Sequence, residues 1–127
     1  MNWQISDAEL EIMKIVWNNP ESPTLFSYIM NELAAKGRPC QKNTLIVLLS
    51  RLVNKGFLQA KKKGRRNEYT PRVPEAQYQT VQTKHFLNKI YEGNIGGLVT
   101  SLISADRLTD EEYEELKRLL EKGSENE

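Results

Sequence analysis

The hydrophobic period of this chain switches at Gly56, and that switch limits what the first seventy residues can fold into. Before it, apolar residues recur at helical spacing in three segments; after it come two short segments that suit strands. Ser6-Asp7-Ala8-Glu9 has capping-box spacing, and Leu10, Met13 and Trp17, joined by Ile12 and Val16, predict a first helix from about Asp7 to Asn18. Asn19-Pro20 and Ser22-Pro23 close it and open a turn. Leu25, Phe26, Ile29, Met30 and Leu33 mark a second helix that ends at Gly37, a natural left-handed C-cap, and Arg38-Pro39 breaks the chain again. From Lys42 to Lys55 a third helix places Leu45, Leu48, Leu49 and Leu52 on one buried face, and Gly56 stops it. Phe57–Lys61 and Asn67–Thr70 predict two strands joined by a turn containing Gly64, with Pro71 and Pro74 ending the sheet. Three helices followed by a hairpin is the order of a winged helix-turn-helix, in which the third helix enters the major groove of DNA and the hairpin tip lies along the phosphates or the minor groove.

Charge is distributed to suit that reading. The hairpin segment "LQAKKKGRRNEY" carries Lys61, Lys62, Lys63, Arg65 and Arg66 around Gly64, although the whole chain of 127 residues has a net charge of only +1. Residues 1–72 hold twelve Lys/Arg against six Asp/Glu, and residues 73–127 hold six against eleven. A basic half that meets a polyanion and an acidic half with a separate task account for the asymmetry. Duplex DNA presents about one negative charge per 1.7 Å of axis, and each phosphate neutralised releases condensed counterions. A turn tip offers several cations to such a backbone without burying any of them. The plainer alternative is a cationic, functionally idle hairpin on a solvated surface.

With its leucines inward, the third helix turns Lys42, Asn43, Ile46, Val47, Ser50, Arg51 and Asn54 outward. Asn43 suits a bidentate pair with adenine, and Thr44 suits phosphate or base. Ile46 and Val47 are unusual on an exposed face: either they touch thymine methyl groups, or the wing or first helix partly covers them. Lys42, Asn43, Thr44, Ile46, Val47, Ser50 and Arg51, with Lys62, Lys63, Arg65 and Arg66 of the wing, are the expected DNA contacts.

The acidic half reads as a helical region. Ala76 to Tyr91 carries Val81, Phe86, Leu87 and Ile90 on a stripe, with Tyr78 and His85 nearby; Gly93, Gly96 and Gly97 interrupt it. Leu98, Val99, Leu102 and Ile103 form a short apolar helix. Thr109-Asp110-Glu111-Glu112 is a second capping box, opening a helix edged by Leu116, Leu119 and Leu120. Segments this short cannot bury such stripes alone. A second copy would cover Phe86, Leu87, Ile90, Leu98, Val99, Leu102, Leu116 and Leu119, and a two-fold dimer matches a palindromic site; the rival arrangement folds the arm back on its own winged helix. The expected architecture is therefore mostly α with a small β-hairpin: residues 1–72 a DNA-binding winged helix, residues 73–127 a helical dimerisation region.

Other classes are disfavoured. His85 is the sole histidine and lies in an apolar helical stripe, where packing suits it better than catalysis. No Cys/His/Asp cluster has metal-ligand spacing, and Gly96-Gly97 lacks the Lys-Ser/Thr of a phosphate-cradling loop. The acids from Asp110 to Glu115 suit a solvated helix start. No cofactor, metal or enzymatic activity is expected. A lone cysteine, Cys40, makes no internal disulfide, no apolar run reaches the ~18 residues of a bilayer span, and the N-terminus lacks a signal-peptide pattern. A cytoplasmic protein without membrane contact is expected.

"ISDAELEIMKIVW", "NTLIVLLSRLVNKGFL" and "FLNKIYEGNIGGLV" together resemble the penicillinase-repressor family (BlaI/MecI/CopY type), over nearly the whole chain from about Ile5 to Leu120 and in the family's order. The resemblance implies a homodimeric repressor with an N-terminal winged helix, a C-terminal helical dimerisation arm and a short palindromic operator, often with TACA/TGTA-like half-sites. It also implies relief through a membrane sensor-protease pathway that leads to cleavage in the C-terminal part. Departures are local. The third helix of the family often has a hydroxyl cap, a Lys-Thr pair and further polar residues, where this chain reads Gln41, Lys42, Asn43 and Thr44, then Ile46 and Val47. The family's Asn-Phe cleavage point corresponds here to Ser101 and Leu102, and the paired cysteines of its copper-responsive branch have no counterpart. Two function classes stand: an operator-binding dimeric repressor, and a winged helix reused as a protein-interaction module. Only the first predicts a steep salt dependence of duplex binding.

Overall fold

A computed structural model describes residues 3–104 and 108–125. Helix α1 (Asp7–Asn18) starts on the expected capping box, with Ser6 Oγ accepting from the Glu9 amide at 3.1 Å and the Glu9 carboxylate accepting from the Ser6 amide at 3.4 Å. A two-residue strand β1 (Thr24–Leu25) leads into α2 (Phe26–Ala35), and α3 (Lys42–Asn54) follows after a loop. Strands β2 (Leu58–Lys63) and β3 (Arg66–Pro71) form the hairpin. Helices α4 (Glu75–Tyr91), α5 (Ile95–Ser104) and α6 (Asp110–Glu125) complete the described chain.

Glycine ends α3 for a backbone reason. Gly56 adopts φ +87°, its amide bonds Val53 O at 3.0 Å, and the Phe57 amide bonds Leu52 O at 2.9 Å. This is a Schellman closure, and the fully buried Phe57 and Leu52 supply the apolar contact that accompanies it. The chain thereby passes from α3 to β2 with no slack. Gly37 closes α2 in the same way.

The sheet is antiparallel with order β1-β3-β2, so it has three strands rather than the two expected. Thr24 pairs with Tyr69 and Leu25 with Glu68, which draws Leu25 out of α2 and makes it the residue before that helix. Both hairpin strands are also longer than expected. Lys63 faces Arg66 across a two-residue connection, so Lys61, Lys62 and Lys63 belong to β2, and only Gly64 and Arg65 form the turn. Gly64 at φ +66° supplies the positive angle that two-residue hairpins of the II′ kind need at their first central position.

The core of the first compact unit is built from α1, α2, α3 and the sheet. Ile12, Met13, Ile29, Leu45, Leu49, Leu52, Phe57 and Leu58 are all at most 1% exposed. Full burial of such a side chain contributes about 1.5–3 kcal/mol, so these eight dominate the unit's stability. Leu48, expected inside, is half-buried. This unit ends at Gln82, within α4, and the next begins at Thr83. The reason is side-chain contact beyond residue 72. Val73 is buried and its carbonyl accepts from Trp17 Nε1 at 2.8 Å, the Tyr78 ring packs tilted against Trp17 at 5.7 Å and edge to face against Phe57 at 5.6 Å, and Gln82 Nε2 donates to Trp3 O at 2.9 Å.

In the second unit Gly93 ends α4 at φ +84°. Gly96 and Gly97, expected to interrupt a helix, lie in the first turn of α5, where the Asn94 side chain accepts from the Gly97 amide at 3.0 Å. A Cβ on Gly97 would meet the Asn94 side chain at 3.2 Å, so the small residue makes room for the cap. The second capping box is present too, with Thr109 Oγ1 accepting from the Glu112 amide and Glu112 accepting from the Thr109 amide at 3.1 and 3.2 Å. No helix among the described residues is long and apolar enough to cross a membrane.

Candidate nucleic-acid interface

Helix α3 is amphipathic by construction: Leu45, Leu49 and Leu52 are buried, and Lys42, Asn43, Thr44, Ile46, Val47, Ser50 and Arg51 are all exposed. Ile46 and Val47 are 44% and 49% exposed, so neither the wing nor α1 encloses them. At the other end of the helix Lys55 Nζ bonds the Glu9 carboxylate at 3.0 and 3.2 Å. Glu9 itself is 2% exposed. Burial pushes this carboxyl up, but the bonds from Lys55 and Ser6 outweigh it and hold it below the usual carboxylate range. The pair ties the C-terminal end of α3 to α1.

The wing presents its cations freely. Lys61, Lys62, Lys63, Arg65 and Arg66 are exposed, and among the described residues no carboxylate forms an ion pair with any of them. Glu68 stands opposite Lys61 in the register without closing to ion-pair distance. Alternation along the strand puts Lys62 on the face of Leu58 and Ala60, and Lys61 and Lys63 on the opposite face.

Helix and wing meet in one groove. A cavity of about 520 Å³ is lined by Leu25, Phe26 and Ser27 at the start of α2, by Lys42 and Ile46 of α3, and by Arg65, Arg66 and Asn67 of the wing. Neither α2 nor α3 has a side-chain cap at its N-terminus, so the first-turn amides of both helices stay available to an anion. A groove lined by three cations, two uncapped helix starts and apolar side chains suits a polyanion with a partly apolar edge. Of the expected contacts, Lys42, Ile46, Arg65 and Arg66 line this groove. Asn43, Thr44, Val47 and Arg51 lie on the exposed face of α3 outside it, and Ser50 lines a smaller cleft of about 190 Å³ beside Asn54 and Tyr69. Lys62 and Lys63 lie in β2 and line neither. Leu25, Phe26, Ser27 and Asn67 are not among the DNA contacts expected from the sequence. Their place depends on the β1–β3 pairing, which leaves no local signal.

The second unit holds the residues expected to pair two copies. Phe86, Ile90, Leu102 and Leu119 are between 43% and 58% exposed, whereas Leu87, Leu98, Val99 and Leu116 are half-buried. Ile95, Ile103 and Leu120 are exposed to a similar degree and lie outside the expected set. The Phe86 and Tyr91 rings pack edge to face at 5.9 Å. Ser101 and Leu102 lie inside α5, both exposed.

A three-helix core, a sheet of order β1-β3-β2 and a cationic two-residue hairpin directly after the third helix define a winged helix-turn-helix protein. Within that class the chain belongs to the penicillinase repressor family, whose sequence pattern matches residues 5–122. It is 38% identical over 118 residues to the penicillinase repressor of Bacillus licheniformis, covering 93% of this chain and 90% of that one. It is 32% identical over 120 residues to the methicillin resistance regulatory protein MecI of Mammaliicoccus sciuri, covering 94% and 95%. The solution structure of the DNA binding domain of the repressor BlaI superposes with a TM-score of 0.51 at 39% identity, covering 59% of this chain and 88% of that one. The family is one of repressors, not of enzymes.

Proposed function

We propose that this chain is a cytoplasmic transcriptional repressor that binds a palindromic duplex DNA operator as a homodimer, through the exposed face of α3 and the cationic wing. The observation that carries the reading is the shared groove, which Lys42 and Ile46 of α3 line together with Arg65 and Arg66 of the wing. The relative named as a penicillinase repressor, the one named as a methicillin resistance regulatory protein, and the BlaI fragment named as a DNA binding domain support it. Phosphate contacts from wing and helix starts would set the register, and Asn43, Thr44, Ser50 and Arg51 would meet bases or backbone. The acidic region beyond Gln82, where the second unit begins, is the dimerisation part in this reading. Two copies that cover each other's apolar stripes hold two recognition helices about 34–36 Å apart, one helical turn of DNA, or a multiple of it.

Relief by proteolysis fits the same arrangement. A cut at Ser101-Leu102 separates Leu102, Leu116 and Leu119 from the rest of the stripe, weakening the dimer and with it the hold on two half-sites. A protease takes an extended segment, so α5 must unwind first, and its two glycines make that unwinding cheap. The deciding experiment is a salt titration of binding to duplexes selected by the full chain. A steep fall of log K with log salt supports the repressor; a flat line, or no duplex binding, leaves a winged helix used for protein interaction.

A further inference from the structure

Ile46 and Val47 form the least polar part of a face that is otherwise cationic or hydrogen-bonding. Single exposed apolar residues are ordinary on protein surfaces and need no partner. This pair is different in its setting. Both lie in the middle of α3, between Lys42 and Asn43 on one side and Ser50 and Arg51 on the other, and all six side chains are exposed. Ile46 lines one groove together with the apolar Leu25 and Phe26 and the cations Lys42, Arg65 and Arg66. An apolar strip bordered by cations matches one edge of a duplex in particular. Phosphates lie along its rims, and the one apolar group that B-DNA offers in the major groove is the thymine 5-methyl.

We infer that Ile46 and Val47 are specificity contacts that read thymine methyl groups, so the half-site places thymines at two positions opposite the middle of α3. The inference rests on the operator-binding reading above and names what that site selects. Consecutive residues of a helix are turned by about 100° and displaced by about 1.5 Å along the axis. The two side chains therefore address neighbouring base pairs rather than one. Selection works in both directions. A methyl group buried against Ile46 or Val47 leaves water, whereas cytosine or adenine would bring an amino donor, and guanine its acceptors, against a side chain that cannot bond them.

Replacing thymine by deoxyuridine deletes this methyl and leaves the Watson–Crick edge intact. Duplexes enriched from a random-sequence pool by the full chain are resynthesised with deoxyuridine at one thymine at a time and titrated. Loss of one buried methyl corresponds to about fourfold weaker binding. Two positions per half-site should show it. Ile46→Ala should remove the sensitivity at one and Val47→Ala at the other; both sites are exposed, and an unchanged melting temperature confirms that each variant folds. The inference is overturned if the wild-type chain tolerates deoxyuridine at every position, or if the sensitive positions stay sensitive in both variants. A chain that binds duplexes with steep salt dependence yet ignores the methyl loses this inference alone. A chain that enriches no duplex loses the operator reading, and this one with it.

Discussion

Glu9 caps α1 and anchors α3 with one carboxylate, since it bonds both the Ser6 amide and the Lys55 ammonium. At 2% exposure its charge is tolerable only because it is paired. Its folded-state affinity for a proton lies below the ordinary value of 4.5, so the unfolded chain takes up the proton first as pH falls. The stability that Glu9 adds is therefore complete above pH 4.5 and is lost as the pH drops through the lower, folded value. Glu9→Gln should cost about 1–3 kcal/mol near neutrality, because Lys55 loses its charged acceptor. Denaturant melts of both proteins across the acid range check this: the difference should shrink toward zero below the ordinary carboxylate range, and a difference that stays constant would show that the carboxylate acts through packing alone. Asn43 acts at the same scale but on selectivity. It is exposed in the first turn of α3. Asn43→Ala should cost about 1–3 kcal/mol on the selected operator with non-specific affinity nearly intact. Equal losses on operator and random duplex would assign Asn43 to the DNA backbone.

At the scale of elements, the wing shows what its sequence could and could not reveal. Its five cations and Gly64 were legible because turn chemistry is local. The extent of its strands was not, because strand length is settled by pairing. Lys62 opposite Asn67 and Lys63 opposite Arg66 complete a ladder that no propensity specifies, and Thr24 and Leu25 become a strand only through Tyr69 and Glu68. The α1 boundaries, by contrast, followed from a cap and a period within twelve residues. The Glu9–Lys55 pair left no trace in the sequence, since tertiary packing alone joins residues so far apart. The geometry also ranks the cations. Arg65 and Arg66 line the groove that Lys42 and Ile46 of α3 also line, whereas Lys62 and Lys63 line no groove. Replacing Arg65 and Arg66 together by Ala should weaken binding to all duplexes nearly uniformly. It should also flatten the slope of log K against log salt by about two, roughly one phosphate contact each. Fluorescence titrations at several salt concentrations measure that slope, and an unchanged value would remove the wing from the interface.

For the molecule as a whole, the question is what the acidic half adds to a winged helix that already has its own core. The sequence suggested dividing the chain after Arg72, but a fragment cut there discards the buried Val73, the carbonyl that accepts from Trp17, and the Tyr78 ring against Trp17 and Phe57. Residues 1–82 retain all three and make the sound test of independence. Losing Val73 and Tyr78 removes apolar contacts worth several kcal/mol, on the order of the whole stability of a small domain, so residues 1–72 should melt far lower or fail to fold. The longer fragment should fold and keep the groove, yet lack the exposed apolar surface of Phe86, Ile90, Leu102 and Leu119, which a second copy would cover. If two copies pair through that surface, the second half-site is bound at an effective concentration set by the dimer rather than by free protein, and avidity gains of about 100-fold to 10,000-fold follow. Residues 1–82 should therefore sediment as a monomer and bind a palindromic duplex no better than a single half-site. The full chain should sediment as a dimer at micromolar concentration and prefer the palindrome by that factor. A Phe86→Glu, Ile90→Glu variant of the full chain separates pairing from mere chain length: it should behave like the fragment in both measurements, with the melting transition of the winged helix unchanged. A monomeric full chain, or a fragment that discriminates palindrome from half-site, would remove dimerisation from the mechanism and leave the acidic half without its assigned task.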